Sequence, residues 1–276
     1  MSLVQSCFGY PLRNIYVFYQ AREAAPTVPV IPANADDASI WESLGNKFEG
    51  DMILDKDQLR FAMGIETRNG LRQSRYKWPK KVLPYEIVDN YFSEEQEEYI
   101  HSALREFADI SCVTVRPRMK GDRHYVRVTG RRNGCYAMVG FQRGGAQTLN
   151  LAPHALGVGC FRRATIQHEF LHALGFYHMQ SAHDRDKYVT IKWDNIIPGL
   201  EHNFNRYNSR IVTSHGVKYD YESVMHYGPY AFSRNGKMTI VPKVPLARIG
   251  QRNSLSDADI EKLNIMYSCG KDAYLK

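Results

Sequence analysis

Apolar positions recur at helical spacing in three stretches of this chain and cluster at strand length in four others. Ser93 to Ile110 predicts the first helix. Ile100, Leu104, Phe107 and Ile110 fall on one face, and Ser93 can cap the helix with Gln96 reaching back. Arg163 to Leu174 predicts the second helix, ending at Gly175, a residue suited to the left-handed turn that stops a helix. Ser256 to Tyr267 predicts the third, with Ser256 and Asp259 in capping-box positions. Val82 to Val88, Val113 to Val115, Tyr125 to Val128 and Thr148 to Leu151 predict short strands. From Gly175 to Ser256 the chain is rich in Tyr, Asn, Pro and Gly and keeps neither period. Helices and strands followed by a looser half predict an α+β fold without internal repeats.

The first 68 residues read differently. Residues 24–37 are rich in Pro and Ala and predict an extended linker. Up to Arg68 there are 6 Lys and Arg against 9 Asp and Glu, a net of −3, which leaves +10 for the rest of a chain of net charge +7. An acidic leader ahead of a basic body suits a segment lying across a cleft.

Composition narrows the class. With 43% hydrophobic residues, 276 residues can bury a sizeable core. Mean hydropathy is −0.45, and no apolar run reaches the roughly 18 residues of a membrane span. The basic residues are scattered in pairs such as Lys80-Lys81, Arg131-Arg132 and Arg162-Arg163. With no nucleic-acid motif beside them, they predict a solvated surface and no nucleic-acid partner. None of the five cysteines forms a C-x-x-C pair. Cys112, Cys135, Cys160 and Cys269 lie in the body, an even number that fits two disulfides and an oxidising, extracellular compartment. Cys7 stands apart. The start, Met1 to Pro11, lacks a basic n-region and is interrupted by Gln5, Ser6 and Pro11, so it is a poor signal peptide.

The chemistry is concentrated in His168-Glu169-Phe170-Leu171-His172-Ala173-Leu174-Gly175-Phe176-Tyr177-His178. Histidines four apart on a helix share a face, so both can reach one metal. Glu169 is placed to take a proton from a metal-activated water. Gly175 permits a sharp turn that returns His178 as a third ligand, and three histidines leave a coordination position open. Downstream, Ser223-Val224-Met225-His226-Tyr227 supplies the Met-turn of the metzincin signature. Met225 would form an apolar floor, and the Tyr227 phenol could reach the metal or an oxyanion.

From about Asn69 to Gly270 the chain resembles the astacin family of metzincin endopeptidases. The likeness rests on His168 to His178, Ser223 to Tyr227, Asp184-Arg185-Asp186-Lys187-Tyr188-Val189 and Ile249-Gly250-Gln251-Arg252. It implies one zinc at His168, His172 and His178, Glu169 as catalytic base, and Tyr227 as a mobile ligand that stabilises the transition state. It also implies disulfides pairing Cys112 with Cys269 and Cys135 with Cys160. Phe48-Glu49-Gly50-Asp51 resembles the family's latency motif, in which the aspartate, here Asp51, takes the water's place on zinc.

The organisation implied is a leader over 1–68, a catalytic domain over 69–270 and a tail over 271–276. Activation would cut near Arg68-Asn69, after an arginine that a trypsin-like protease can read, with Arg72 and Arg75 as alternatives. Substrates would be proteins or peptides. The segment Cys135 to Val139 is implied to be an edge strand that pairs with an extended peptide. Lys243 is a candidate for reading an acidic side chain just after the cut. One position departs from the family: the residue after the third histidine is often Glu, which fixes the new amino terminus, and here it is Met179. A thioether cannot pair with an ammonium, and Gln180 could substitute only as a hydrogen bonder. Two readings without proteolysis compete, a metal-binding module and a zinc hydrolase of small amides. The first requires a missing base or oxyanion group, and the second would favour small over macromolecular substrates.

Overall fold

Burial of the two central helices organises the molecule. The computed structural model describes residues 30, 39–63, 73–207 and 213–270. Its helices are α1 (Ile40–Ser43), α2 (Lys56–Ala62), α3 (Glu94–Ile110), α4 (Arg163–Leu174) and α5 (Asp257–Met266). Its strands are β1 (Met52–Ile53), β2 (Val82–Ile87), β3 (Thr114–Pro117), β4 (Tyr125–Thr129), β5 (Cys135–Met138), β6 (Ala146–Leu151), β7 (Val189–Ile191) and β8 (Ile240–Pro242). Cys7, Arg68, Asn69, residues 271–276 and all of 24–37 except Val30 lie outside the described residues.

The capping boxes form at both expected helix starts, Ser93 with Gln96 and Ser256 with Asp259. On α3, Ile100, Leu104 and Phe107 are fully buried, while Ile110 is half-buried. Every residue of α4 from Ala164 to Leu174 is buried. A helix buried on all sides has no solvated face, so its polar side chains need partners inside the protein.

Six strands form one sheet in the order β1-β5-β6-β4-β2-β3. Only the β5–β6 pair is antiparallel. Leu83, Val126, Val128, Leu149 and Leu151 from the sheet join Phe107, Ile166 and Phe170 from the helices in one core. Disulfides join Cys112 to Cys269 and Cys135 to Cys160, tying the start of β3 to the segment after α5 and β5 to the loop before α4.

The second half is mostly short 3-10 turns, with one feature absent from the sequence reading. Strands β7 and β8 form an antiparallel ribbon. Three-residue strands from distant parts of the chain carry too few positions for a period to show. The ribbon covers a second core that includes Phe204, Tyr227, Phe232 and Ile240.

Residues 39–63 of the expected leader are built into the fold. Strand β1 adds to the sheet beside β5, parallel to it, with Ala137 N–H donating to the Asp51 carbonyl at 2.8 Å and Val139 N–H to the Ile53 carbonyl at 3.0 Å. Asp55 and Gln58 cap α2 reciprocally. Asp55 also accepts the Tyr76 hydroxyl at 2.9 Å, and Arg75 donates to Asp57 at 2.8 Å. Leader and body therefore share a sheet, a side-chain hydrogen bond and an ion pair.

Candidate metal centre

His168 and His172 leave α4 one turn apart on the same side, with ring centroids separated by 4.6 Å. Gly175 closes the helix at φ 110°, and its N–H returns to the Leu171 and His172 carbonyls. That backbone region favours glycine, and a Cβ there would meet the Met266 methyl at 2.8 Å. The turn brings His178 back to the pair, its ring 4.8 Å from His172 and 5.5 Å from His168. All three rings are buried.

The leader adds the fourth member. The Asp51 carboxylate lies 3.2 Å from His168 Nε2, 3.5 Å from His172 Nε2 and 3.3 Å from His178 Nε2. One ligand atom from each residue can be chosen so that all four lie within 4.8 Å of one another. His172 Nε2 and Asp51 Oδ1 are buried with no hydrogen-bond partner. Orphaned polar atoms are costly in an interior unless something binds them. A tetrahedral zinc with bonds of roughly 2.0–2.1 Å would space its ligands about 3.3–3.4 Å apart. The separations around Asp51 suit that geometry, and three imidazoles with a carboxylate are a zinc donor set.

The outer hydrogen bonds set the ring tautomers. His168 Nδ1 donates to the Val224 carbonyl at 2.8 Å, and His172 Nδ1 to the Phe176 carbonyl at 2.8 Å. His178 Nδ1 donates to the Glu49 carboxylate at 2.7 Å. Each acceptor places a proton on Nδ1 and turns Nε2 toward the common point where a metal would sit.

Electrostatics inside the cluster are strong. Burial pushes Asp51 up, but the facing His178 and His172 rings outweigh it and hold its carboxyl well below the usual range. Burial lowers His178, and Asp51 with Glu49 overcomes that to push it up to about 9. Burial, reinforced by the Arg252 charge, keeps His168 well below its ordinary value. Glu169, next to His168 on α4, is buried with neither carboxylate oxygen hydrogen-bonded. Burial first, and then the Asp51 charge, hold it well above the carboxylate range.

The Met-turn lies under the histidines. Asp259, at the start of α5, accepts from Ser223 Oγ at 2.6 Å and Val224 N–H at 2.8 Å. Val224 is also the residue whose carbonyl holds His168. Met225 is buried, and its carbonyl accepts the Met179 N–H at 2.9 Å. The Tyr227 ring sits 4.6 Å from His178, and its hydroxyl donates to the Glu49 carbonyl at 2.5 Å.

Lys243, Met179 and Gln180 each have a defined partner. Lys243 is exposed, and its ammonium donates to the Asp186 carbonyl. Met179 is buried, with the Lys262 ammonium 3.2 Å from its sulfur. Gln180 receives the Tyr227 N–H through its Oε1 at 3.1 Å, so it supports the tyrosine segment.

Three partners escaped the sequence reading. Glu49 grips His178 and Tyr227. Asp259 supports the Met-turn, and its capping-box position gave no hint of that second role. Glu42 of the leader makes a bidentate ion pair with Arg252, at 2.7 and 3.0 Å, both side chains fully buried. Arg252 ends the Ile249-Gly250-Gln251-Arg252 motif, but its carboxylate stands 210 residues away.

Comparison with known proteins gives a consistent picture. A family model described as the astacin peptidase family matches residues 70–268. Zinc metalloproteinase nas-13 of Caenorhabditis elegans is 42% identical over 224 residues, covering 81% of this chain and 47% of that protein. The human meprin A subunit beta is 41% identical over 237 residues, covering 85% and 31%. Seminal metalloprotease 1 of Drosophila melanogaster is 43% identical over 208 residues, covering 74% and 83%. The chain thus spans about half or less of the length of several relatives it matches. Among solved structures, high choriolytic enzyme 1, a hatching enzyme zinc-protease from Oryzias latipes, superposes with a TM-score of 0.65 at 36% identity. That match covers 74% of this chain and 100% of the enzyme.

Asp259 accepts a further hydrogen bond from Ser256 N–H at 3.1 Å. An asparagine offers one acceptor oxygen in place of two and turns an amide donor toward a donor. Asp259→Asn should destabilise the protein by about 2–3 kcal/mol, the cost of a buried donor left unpaired beside a lost charge-assisted bond. Urea denaturation checks this, and an unchanged midpoint would show that the carboxylate does not hold the Met-turn.

Proposed function

The chain belongs to the astacin family of zinc peptidases, and from that premise we propose that it is an endopeptidase held latent by its own leader. The observation that carries the reading is the buried set of Asp51, His168, His172 and His178, with orphaned ligand atoms facing one another. The leader contributes one of the four ligands, so the arrangement is both a metal site and a closed one.

When bound, zinc supplies Lewis acidity, bringing water toward ionisation near neutral pH and polarising a peptide carbonyl. The rest falls to the chain. His168, His172 and His178 would hold the metal through Nε2. Glu169, with two unengaged oxygens beside that position, accepts the proton of the attacking water and returns it to the leaving amine. The Tyr227 hydroxyl, once released from the Glu49 carbonyl, donates to the oxyanion. The N–H groups of Ala137 and Val139 that now bind the leader are the donors an extended peptide would use.

Removal of residues 1–68 after Arg68 by a trypsin-like protease would free the site, leaving a catalytic domain over 69–270. Two disulfides suit a secreted protein. Specificity follows from the same departure. Loss of the leader takes Glu42 from Arg252, which keeps its hydrogen bonds to the His226 and Gln251 carbonyls and offers its two vacated N–H groups to another carboxylate. Arg252 is therefore a better reader of acidic substrate side chains than the exposed Lys243.

Two measurements check these statements. Glu169→Gln should keep its zinc while losing about 10²–10⁴-fold or more in casein cleavage; turnover at the parental rate would remove Glu169 as the base. Profiling of the leader-free enzyme on a peptide library should show an acidic preference that Arg252→Ala abolishes and Lys243→Ala leaves intact. The opposite pattern would return the role to Lys243.

A further inference from the structure

The three histidines differ in where their outer partners come from. His168 and His172 donate Nδ1–H to backbone carbonyls of the body, Val224 and Phe176. His178 donates to a side chain of the leader, Glu49. Outer acceptors of this kind orient a ligating imidazole and raise its basicity, and their loss typically weakens metal binding about 10–100-fold. A body without its leader lacks the acceptor that the structure gives its third ligand.

Glu49 is held as a built element. It is fully buried, and its carboxylate also accepts the Ser181 hydroxyl at 3.0 Å and the Tyr207 hydroxyl. Its N–H donates to Asn203 Oδ1 at 3.0 Å, and its carbonyl accepts the Tyr227 hydroxyl. Its backbone sits at φ 46°, a conformation that side-chain-bearing residues adopt at a cost. A residue engaged through N–H, carbonyl and both carboxylate oxygens, in an unfavourable backbone region, is over-determined by its surroundings. That pattern marks a functional position.

We propose that Glu49 is a positioning residue for the third zinc ligand, so that the leader assembles the metal centre as well as closing it. Asp51 fills a coordination position. Glu49, two residues before it, holds His178 with Nε2 aimed at the same point and keeps the Tyr227 hydroxyl occupied. The precursor is then the form that captures and retains zinc best. Removal of the leader opens the site and loosens the metal in one step, since Asp51 and the His178 acceptor leave together. The inference rests on the zinc site proposed above.

The test reads zinc retention in the full-length precursor, by competition with a chromogenic chelator, for the parent, Glu49→Ala and Glu49→Gln. Asp51 stays intact in all three. Near-ultraviolet circular dichroism monitors folding. Glu49→Ala should release zinc about 10–100-fold more readily than the parent. Glu49→Gln, whose amide oxygen can still accept from His178, should fall between. After cleavage and purification away from the leader, the three proteins should be indistinguishable, because the altered residue is gone. Folded Glu49→Ala and Glu49→Gln precursors that retain zinc like the parent would overturn the proposal. If the alanine variant does not fold, the isosteric glutamine variant decides alone, and parental retention there counts against the idea. A parental precursor that binds no zinc would instead sink the reading of the metal site itself.

Discussion

A buried carboxylate facing three buried imidazoles is the constraint on which the rest of the structure depends. None of these groups is exposed, and each costs several kcal/mol to desolvate unless it is paired. The surrounding protein is arranged to make that set tenable. Helix α4 is buried on every side to carry two of the rings. The glycine turn delivers the third. Asp259 fixes the Met-turn, and the Met-turn fixes His168. The disulfide from Cys135 to Cys160 ties β5, where the leader docks, to the segment entering α4.

In the structure the leader occupies the groups that the proposed function assigns to a substrate. It lies along β5 in parallel, and its carbonyls of Asp51 and Ile53 occupy the N–H groups of Ala137 and Val139. Asp51 faces the histidines, Glu49 occupies the Tyr227 hydroxyl, and Glu42 neutralises Arg252. Three leader residues thus answer three groups of the body that are costly to leave alone. Among the described residues, the acidic side chains of the leader meet cations of the body at Glu42 with Arg252 and at Asp57 with Arg75.

Much of this was legible in the sequence because it is local. The histidines and Glu169 lie within eleven residues of one helix and its turn. Ser93 with Gln96 and Ser256 with Asp259 announce helix starts through contacts three residues apart. What escaped depends on distance along the chain. Strands β7 and β8 are three residues each and meet only through tertiary folding. Strand β1 is two residues long and exists because β5 offers an edge. Glu49 and Glu42 carry no periodic signal, since a single acidic residue reads as surface until its partner is known. The β3 segment also shifted from Val113–Val115 to Thr114–Pro117, because Val113 turns into the core beside the disulfide at Cys112.

Closure of a zinc site by the leader is the claim that everything else leans on. The direct measurement is zinc content and casein cleavage of the full-length chain before and after limited trypsin treatment, with leader removal followed by mass spectrometry. The expected result is one zinc per chain, silence before trypsin and activity after it. Casein cleavage by the intact chain at the rate of the trimmed one, or a trimmed chain that holds zinc and stays inert, would contradict it.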